Sequence, residues 1–232
     1  MASAAGCGLV MVPGVTFMLG GDVFGADSQR GTSVGAFFVD RFEVSVARFR
    51  TFWEAGHPAP GSVVRYPGAV DLPVSGAINT TAELTGDTAC NWRYSTREQH
   101  PMNCVDWYTA MAFCVWDGGR LPTQAEWELA AAGTDGRHVP WRSTAVPAME
   151  PGDAEVVSHA CVSYGAGPFR ESTCVVDSIV ADIGPTGVIG LYGNTLEWAA
   201  DWYGAYRHDS VGCWPGTGRF DPLCLVRSGT LG

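Results

Sequence analysis

The sequence GRLPTQAEWELAAAG, residues 119–133, contains the signals of a short helix that is fixed at both ends. Thr123 and Glu126 have the spacing of a capping box. In that motif the threonine hydroxyl accepts a hydrogen bond from the amide of Glu126, and the glutamate carboxylate accepts one from the amide of Thr123. Gly133 is a typical residue at a helix end. The pattern predicts a helix that starts after Thr123 and ends at Gly133.

The other side chains of this segment predict how the helix packs. Trp127 and Ala131 are four residues apart and share one face, which we expect to be buried. Leu121 is expected to pack under the first turn. Arg120 has no such folding role, since it lies between a glycine pair and an apolar residue. We expect a carboxylate or a carbonyl to hold Arg120, in a structural ion pair rather than a ligand contact.

Similar signals predict two more helices upstream. Ser45 can cap a helix that ends at Gly56, and this helix is expected to pack on a sheet. Asp106 can cap another, which stops at residues 118–119. The apolar positions at helical spacing are Val46, Phe49 and either Phe52 or Trp53 in the first segment, and Trp107, Ala110, Met111, Cys114 and Val115 in the second.

Strands are predicted on either side of the helices. Residues 10–19 indicate a strand and turn, and residues 37–44 a second strand. Residues 57–100 and 134–190 are rich in turn residues and are expected to form long loops.

The segment 191–203 alternates between apolar and polar residues. This pattern sends Leu196, Trp198 and Ala200 to one face and Glu197 to the other. It predicts a strand that is buried on its aromatic side.

The composition limits the classes of function. The chain of 232 residues has a net charge of −10, which repels phosphate backbones and anionic lipids, so we expect no nucleic-acid partner. Every basic side chain is arginine, which excludes Schiff-base and P-loop lysines. No apolar run is long enough for a transmembrane segment. With no linker and no repeat, residues 1–232 are expected to form one domain.

The cysteines indicate an oxidising compartment. Eight cysteines are many for a reducing cytosol and favour disulfides in an extracytoplasmic protein, although no signal peptide is visible at the start of the chain. A zinc site that uses Cys90, His100 and Cys104 is the less favoured alternative, because the chain has no C-x-x-C pair. Residues 4–7 resemble the end of a bacterial lipoprotein cleavage site, while a disulfide or a free terminal Cys7 is the simpler interpretation.

Five separated blocks, in this order, resemble the sulfatase-modifying-factor family, which includes the formylglycine-generating enzymes. The resemblance implies a fold similar to C-type lectins: an α+β domain of low regular secondary structure, with two main helices, a small mixed sheet and long loops. The blocks are MVPGVTFMLGG at 11–21, FFVDRFEVSVARF at 37–49, HPMNCVDWYTAMAFCVWDGGRLPTQAEWELAAAG at 100–133, GVIGLYGNTLEWAADWY at 187–203 and LVRSGT at 225–230.

The resemblance implies oxidation of a sulfatase cysteine to formylglycine with oxygen and copper(I). In the family two thiolates five residues apart bind the copper, a soft ion that prefers sulfur. They follow an active-site strand that Arg227 and Thr230 match here, and the first of them would come directly after Gly232. On this expectation the domain is incomplete at its C-terminal end, no catalytic residue can be carried over, and the chain as given is inactive.

The resemblance also bears on the disulfides. In related enzymes the cysteine at the position of Cys114 pairs with one near the end of the domain, so Cys114 and Cys7 are expected to be unpaired here. The local pairs that remain are Cys90 with Cys104, Cys161 with Cys174, and Cys213 with Cys224.

Calcium is the second metal that the resemblance implies. It takes oxygen ligands, and the matching positions in this sequence are Gly190, Gly193, Thr195 and Glu197. Gly190 has no side chain, so one ligand is lost and the affinity is expected to fall. The alternative is a purely structural Glu197 bonded to loop amides. A second family calcium site is expected to be absent, because Cys161 takes its Asn position.

Two functions stay open from the sequence. One is the oxidase, which would bind an extended peptide or protein substrate. The other is a lectin-like binding module, without redox chemistry, of a secreted or surface protein. Hydrolysis is set aside, since the chain contains neither G-x-S-x-G nor H-E-x-x-H.

Overall fold

A computed structural model of the chain describes residues 8–20, 30–66, 71–142, 154–162 and 173–201. Within them the regular structure consists of short strands and short helices, joined by long turns and loops. This mixed content agrees with the α+β fold of low regular secondary structure that the sequence predicts.

Four strands form a long β-ribbon near the start of the chain. β1 (Leu9–Val12) pairs antiparallel with β4 (Phe37–Asp40), and β2 (Val15–Leu19) pairs antiparallel with β3 (Arg30–Val34). The same register continues from the first pair into the second. A third, two-stranded ladder joins the later strands β5 (Val63–Val64) and β6 (Leu72–Pro73).

The ribbon is interrupted where the chain passes from β1 to β2. Pro13 has no N–H to donate to the ladder. At Gly14 an added Cβ would lie 2.8 Å from the backbone nitrogen of Ala36, so the two chains approach too closely for a side chain. The strands predicted over 10–19 and 37–44 are therefore present, but the first is divided and the second is shorter.

Five α-helices follow the ribbon in the described residues, and a short 3₁₀ helix, Asn91–Arg93, lies between the second and the third. Three carry the predicted N-caps, and two short helices lie in segments that were expected to be loops. The helices are α1 (Val46–Glu54), α2 (Thr81–Thr85), α3 (Trp107–Trp116), α4 (Gln124–Ala132) and α5 (Ala154–His159).

The N-caps of α1 and α3 confirm the prediction. The Ser45 hydroxyl accepts a hydrogen bond from the amide of Arg48, at 3.3 Å. The Asp106 carboxylate accepts one from the amide of Thr109, at 2.7 Å. Each side chain satisfies an amide that has no partner within its helix.

The capping box of α4 is formed as the sequence predicts. The Thr123 hydroxyl accepts from the amide of Glu126 at 3.2 Å, and the Glu126 carboxylate accepts from the amide of Thr123 at 2.8 Å. Trp127 and Ala131 are buried, and Gly133 ends the helix with a positive φ of 64°.

Arg120 forms the predicted structural ion pair. Its guanidinium donates two hydrogen bonds to the Glu126 carboxylate, at 2.7 and 2.6 Å, and a third to the carbonyl of Leu121. It also lies over the ring of Tyr66, 4.5 Å from the centroid. Arg120 thereby joins the start of α4 to the loop before β6.

The helices pack around aromatic side chains. Phe49 and Phe52 of α1 are buried against Phe113 of α3, with ring centroids 5.6 and 5.8 Å from that of Phe113. Helix α4 packs Trp127 against the segment 188–192. This second contact positions the candidate site described below.

The expected strand over 191–203 is absent from its described part. Residues 191–201 form turns and bends. Leu196 is 73% exposed and Trp198 41% exposed, so the aromatic side that was expected to be buried faces outward. Ala200, which was expected on the same side, is buried as predicted, so the alternation does not separate a buried face from an exposed one here.

None of the helices in the described residues is both long and apolar enough to cross a bilayer.

Candidate functional site

Backbone hydrogen bonds fix the segment 190–194 between distant parts of the chain. The amide of Gly190 donates to the carbonyl of Asp182 at 2.9 Å, and the amide of Asn194 donates to the carbonyl of Cys161 at 2.8 Å. Gly193 lies so close to Cys161 that an added Cβ would be 2.5 Å from its carbonyl oxygen. The turn therefore requires glycine at position 193.

Glu43, from the segment between β4 and α1, reaches this turn across 151 residues of sequence. One of its carboxylate oxygens accepts a hydrogen bond from the side-chain amide of Asn194, at 2.5 Å. The other accepts one from the Thr195 hydroxyl at 2.7 Å. Both oxygens of Glu43 are thus aimed at the turn by the residues of the turn itself.

Glu197 enters the same region from the other side. Its carboxylate accepts a hydrogen bond from the indole N–H of Trp127 in α4. Burial raises the pKa of Glu197 to about 7, and the indole hydrogen bond opposes this shift. Burial and the neighbouring charge of Glu197 raise the pKa of Glu43 to about 8.

Asp182 is a third acid in contact with the turn. It is 1% exposed, and its Oδ2 accepts a hydrogen bond from the amide of Tyr192 at 3.0 Å. Its Oδ1 has no hydrogen-bond partner among the described residues. Burial raises the pKa of Asp182 to about 6, and its charge raises the pKa of Glu197. An orphaned buried carboxylate oxygen of this kind is costly unless a donor or a cation satisfies it.

The chemistry of these donors fits calcium, which binds carboxylates and carbonyls. Glu43 and Glu197 would supply carboxylates and Gly193 and Thr195 backbone carbonyls, and Oδ1 of the buried Asp182 has no hydrogen-bond partner among the described residues. No group of three or more His, Cys, Asp or Glu side chains converges in the described residues as a metal cluster would. A site here must therefore combine carboxylates with backbone oxygens.

A family model described as "Sulfatase-modifying factor enzyme 1-like domain" matches residues 3–228. The chain belongs to the sulfatase-modifying factor family. It is 32% identical over 250 residues to a formylglycine-generating enzyme of Thermomonospora curvata, and the match covers 93% of this chain and 77% of that one. It is 29% identical to the bovine formylglycine-generating enzyme, over 84% of this chain and 58% of that one.

The fold of this chain is similar to that of a solved structure. The structure of PvdO from Pseudomonas aeruginosa superposes with a TM-score of 0.54 at 19% identity, covering 84% of this chain and 70% of that one. At this identity the likeness supports the fold and nothing finer. The chain spans little more than half the length of the bovine relative.

The described residues contain two disulfides, one before α3 and one beside the turn. Cys90 and Cys104 are bonded, as are Cys161 and Cys174. The bond at Cys90 excludes the zinc alternative, in which both cysteines would have been ligands. The second disulfide bears on the site, because the amide of Cys174 donates to the Asn194 side chain at 2.8 Å.

Cys114 in α3 is the free cysteine of the described residues. Burial raises the pKa of its thiol to about 12, with the charge of Asp40 adding to the shift. It therefore remains a neutral thiol at physiological pH, which is a poor ligand for copper.

Several expected site residues lie outside the described residues. They are Arg227 and Thr230 of the active-site strand, the candidate pair Cys213 and Cys224, and Cys7.

Residues 190, 193, 195 and 197 lie in one irregular segment of the chain, and their role as calcium ligands stays a prediction. No sequence pattern predicted that Glu43 and Asp182 contact this segment. Each is an acid among apolar neighbours, in RFEVSV and IVADIG, and such a position is a signal of a buried functional carboxylate. That signal alone does not reveal that both approach the same turn.

Proposed function

We propose that this chain is the scaffold of a formylglycine-generating type of oxidase, whose substrate is a cysteine in an extended segment of another protein. The observation that supports this proposal is the match to the Thermomonospora curvata formylglycine-generating enzyme over 93% of the chain. Fold similarity alone would not support it, because one fold serves many functions.

When bound, copper(I) would mediate the oxidation of the substrate thiol by oxygen. Copper(I) prefers thiolate ligands, and the described residues do not fit it. Four of their cysteines are in disulfides, and Cys114 is a buried thiol of high pKa. The resemblance places the first of the family's two copper cysteines directly after Gly232, and the residues after Asp201 lie outside the described part of the chain.

We therefore propose that the 232-residue polypeptide binds a substrate segment but does not oxidise it. The lectin-like module without redox chemistry is the alternative, and the family match does not favour it. The two proposals differ in which peptide the chain recognises, because the family resemblance implies that the oxidase acts on a Cys-x-Pro-x-Arg segment of a sulfatase.

Calcium is proposed as a structural ion at the turn 190–197. Glu197 and the carbonyls of Gly193 and Thr195 would hold it, next to the indole of Trp127. The ion would offset the charge of carboxylates that burial now penalises. Its role is to fix the turn against α4, without a part in the chemistry.

An extracytoplasmic location is proposed from the cysteine chemistry. Disulfides persist in oxidising compartments and are rare in the cytosol. The bonds at Cys90–Cys104 and Cys161–Cys174 fit such a location.

The test uses the 232-residue chain, copper(I) and a fluorescent Cys-x-Pro-x-Arg peptide. Fluorescence polarisation should show binding that is weaker for a peptide with Ala in place of the Arg, and mass spectrometry should show no aldehyde. The Thermomonospora curvata enzyme is the positive control for the aldehyde. Aldehyde from this chain would overturn the proposed inactivity. Equal binding of both peptides, or none, would favour the module without redox chemistry.

A further inference from the structure

We infer that the contact between His100 and Thr173 is a pH-sensitive switch, which holds segment 173–176 on the loop 91–104 at neutral pH and releases it in mildly acidic solution. The disulfide Cys90–Cys104 closes this loop, directly before α3. The switch lies apart from the proposed calcium site and does not require the chain to be an oxidase.

Segment 173–176 is held on the loop by three contacts. The hydroxyl of Thr173 lies 2.8 Å from Nδ1 of His100 and accepts a hydrogen bond from the side-chain amide of Asn91, at 2.9 Å. The backbone amide of Val176 donates to the carbonyl of Gln99, at 3.0 Å. Two of the three contacts meet at one hydroxyl group, so the protonation state of His100 bears directly on how the segment is held.

Asn91 fixes the direction of the hydrogen bond between Thr173 and His100. Asn91 is 0% exposed, and its side-chain amide donates to the carbonyl of Pro101 and to Thr173, while its oxygen accepts from Arg97 at 3.0 Å. Because the Thr173 hydroxyl accepts from Asn91, it can donate its own proton to Nδ1 of a neutral imidazole. A proton on Nδ1 would face the hydroxyl proton, and this hydrogen bond would be lost.

The surroundings of His100 favour the neutral ring. Burial lowers its pKa below the usual 6.5, the charge of Arg97 lowers it further, and a hydrogen bond with the backbone of Thr173 opposes part of the shift. At a pH above 6.5 the ring is neutral whether the segment is attached or not. As the pH falls through 6.5, His100 takes up a proton more readily when the segment is detached, so attachment weakens until the pH passes below the lowered pKa.

In the described residues, no carboxylate is among the groups that shift the pKa of His100. Glu98, in the same loop, is paired with Arg50 of α1 at 2.6 Å. Asp177, directly after the segment, is exposed. A carboxylate beside the imidazole would stabilise its protonated form. Without that contribution, protonation of the attached state stays unfavourable.

The segment connects the switch to the turn 190–194. Cys174 is bonded to Cys161, and its backbone amide and carbonyl both contact the side chain of Asn194, at 2.8 and 3.3 Å. Release of the segment from the loop would leave these contacts as its remaining anchor on that side. Acidification should therefore also weaken the support of the turn.

Hydrogen exchange of the whole chain, followed by mass spectrometry, measures how firmly the segment is attached. Peptides that contain residues 173–178 are compared at about pH 7.5 and about pH 5.5, two values on either side of the histidine titration, with rates corrected for the intrinsic effect of pH. The variant His100→Asn keeps a hydrogen-bonding atom at the position of Nδ1 but does not titrate. The matched control is His57→Asn, at a histidine after α1 whose Nδ1 lies near the carbonyl of Trp53.

The protection of segment 173–176 in the unmodified chain should fall about threefold or more between the two pH values, because His100 titrates between them. His57→Asn should show the same fall, and most of it should disappear in His100→Asn. This comparison is needed because burial raises the pKa values of Glu43, Asp182 and Glu197 to about 8, 6 and 7, so that these acids titrate near the same range.

Two results would overturn the inference. One is protection of the segment that does not change with pH in the unmodified chain. The other is a fall of equal size in His100→Asn, since the titrating group would then lie elsewhere. If His100→Asn does not fold, Thr173→Val replaces it. That variant lacks the hydroxyl, so the segment should be weakly protected at both pH values, and a fall as large as in the unmodified chain would again overturn the inference.

Discussion

Arg120 and Arg50 make the same kind of contact in two different environments. Each donates to both oxygens of a glutamate, Glu126 and Glu98 respectively, and each lies over an aromatic ring. The side chains of the first pair are 20% and 10% exposed, and those of the second 33% and 34%. Solvent screens the second pair more, so it should contribute less to stability.

The substitution Arg120→Ala should therefore lower the free energy of unfolding by about 2 kcal/mol or more, because it leaves the charge of the buried Glu126 without its partner. The matched control Arg50→Ala should cost under about 1 kcal/mol. Urea unfolding of both variants measures the difference. Equal losses would mean that burial does not decide the value of these ion pairs.

Among the elements, the β-ribbon has one point of close approach. The Cβ of an alanine at position 14 would lie 2.8 Å from the nitrogen of Ala36 and 3.1 Å from the carbonyl oxygen of Val34. Both atoms belong to the backbone, which cannot move aside as a flexible side chain can. Gly31, in β3 of the same ribbon, has nothing within 4 Å of the equivalent atom.

We predict that Gly14→Ala destabilises the chain by about 1–3 kcal/mol through this overlap. The control Gly31→Ala should be neutral or slightly stabilising, since alanine restricts the unfolded chain and meets no obstacle in the folded one. Thermal unfolding of the two variants tests the prediction. A stable Gly14→Ala chain would show that the ribbon can separate at Pro13.

The elements that were predicted well are those with local signals. The caps at Ser45, Asp106 and Thr123 act within three residues of each helix start, so the sequence contains the whole interaction. The strand predicted over 191–203 is absent from the described residues 191–201, because apolar alternation does not by itself require a buried aromatic face. Leu196 and Trp198 face outward, and the carboxylate of Glu197 accepts a hydrogen bond from the indole of Trp127.

Only part of the candidate site was predicted from the sequence, because some of its contacts join residues that are far apart in the chain. The residues 190–197 are close in sequence and could be assigned together from the family pattern. Glu43 reaches them across 151 residues, and no local pattern records that distance. The disulfide between Cys161 and Cys174 was predicted because the two cysteines are close in sequence, but its contact with Asn194 is seen only in the folded structure.

At the scale of the whole molecule, the two disulfides have different positions relative to the candidate site. The bond Cys161–Cys174 touches it: the carbonyl of Cys161 accepts from the amide of Asn194, and the amide of Cys174 donates to the Asn194 side chain. Asn194 in turn orients Glu43. The bond Cys90–Cys104 closes a loop of similar length, with separations of 14 and 13 residues, before α3.

This similarity makes the two bonds a matched pair of perturbations. Replacing both cysteines of either bond by serine should destabilise the chain by about 2–4 kcal/mol, because the loops that they close are almost equal in length. Only the loss of Cys161–Cys174 should also weaken calcium binding at the proposed site, by about 10-fold, since it frees Asn194 within the turn 190–197. Unfolding curves and calcium titrations of both double variants separate the two effects. If both variants lose affinity equally, the loss follows from general destabilisation, and the path from the disulfide through Asn194 to the carboxylate does not operate.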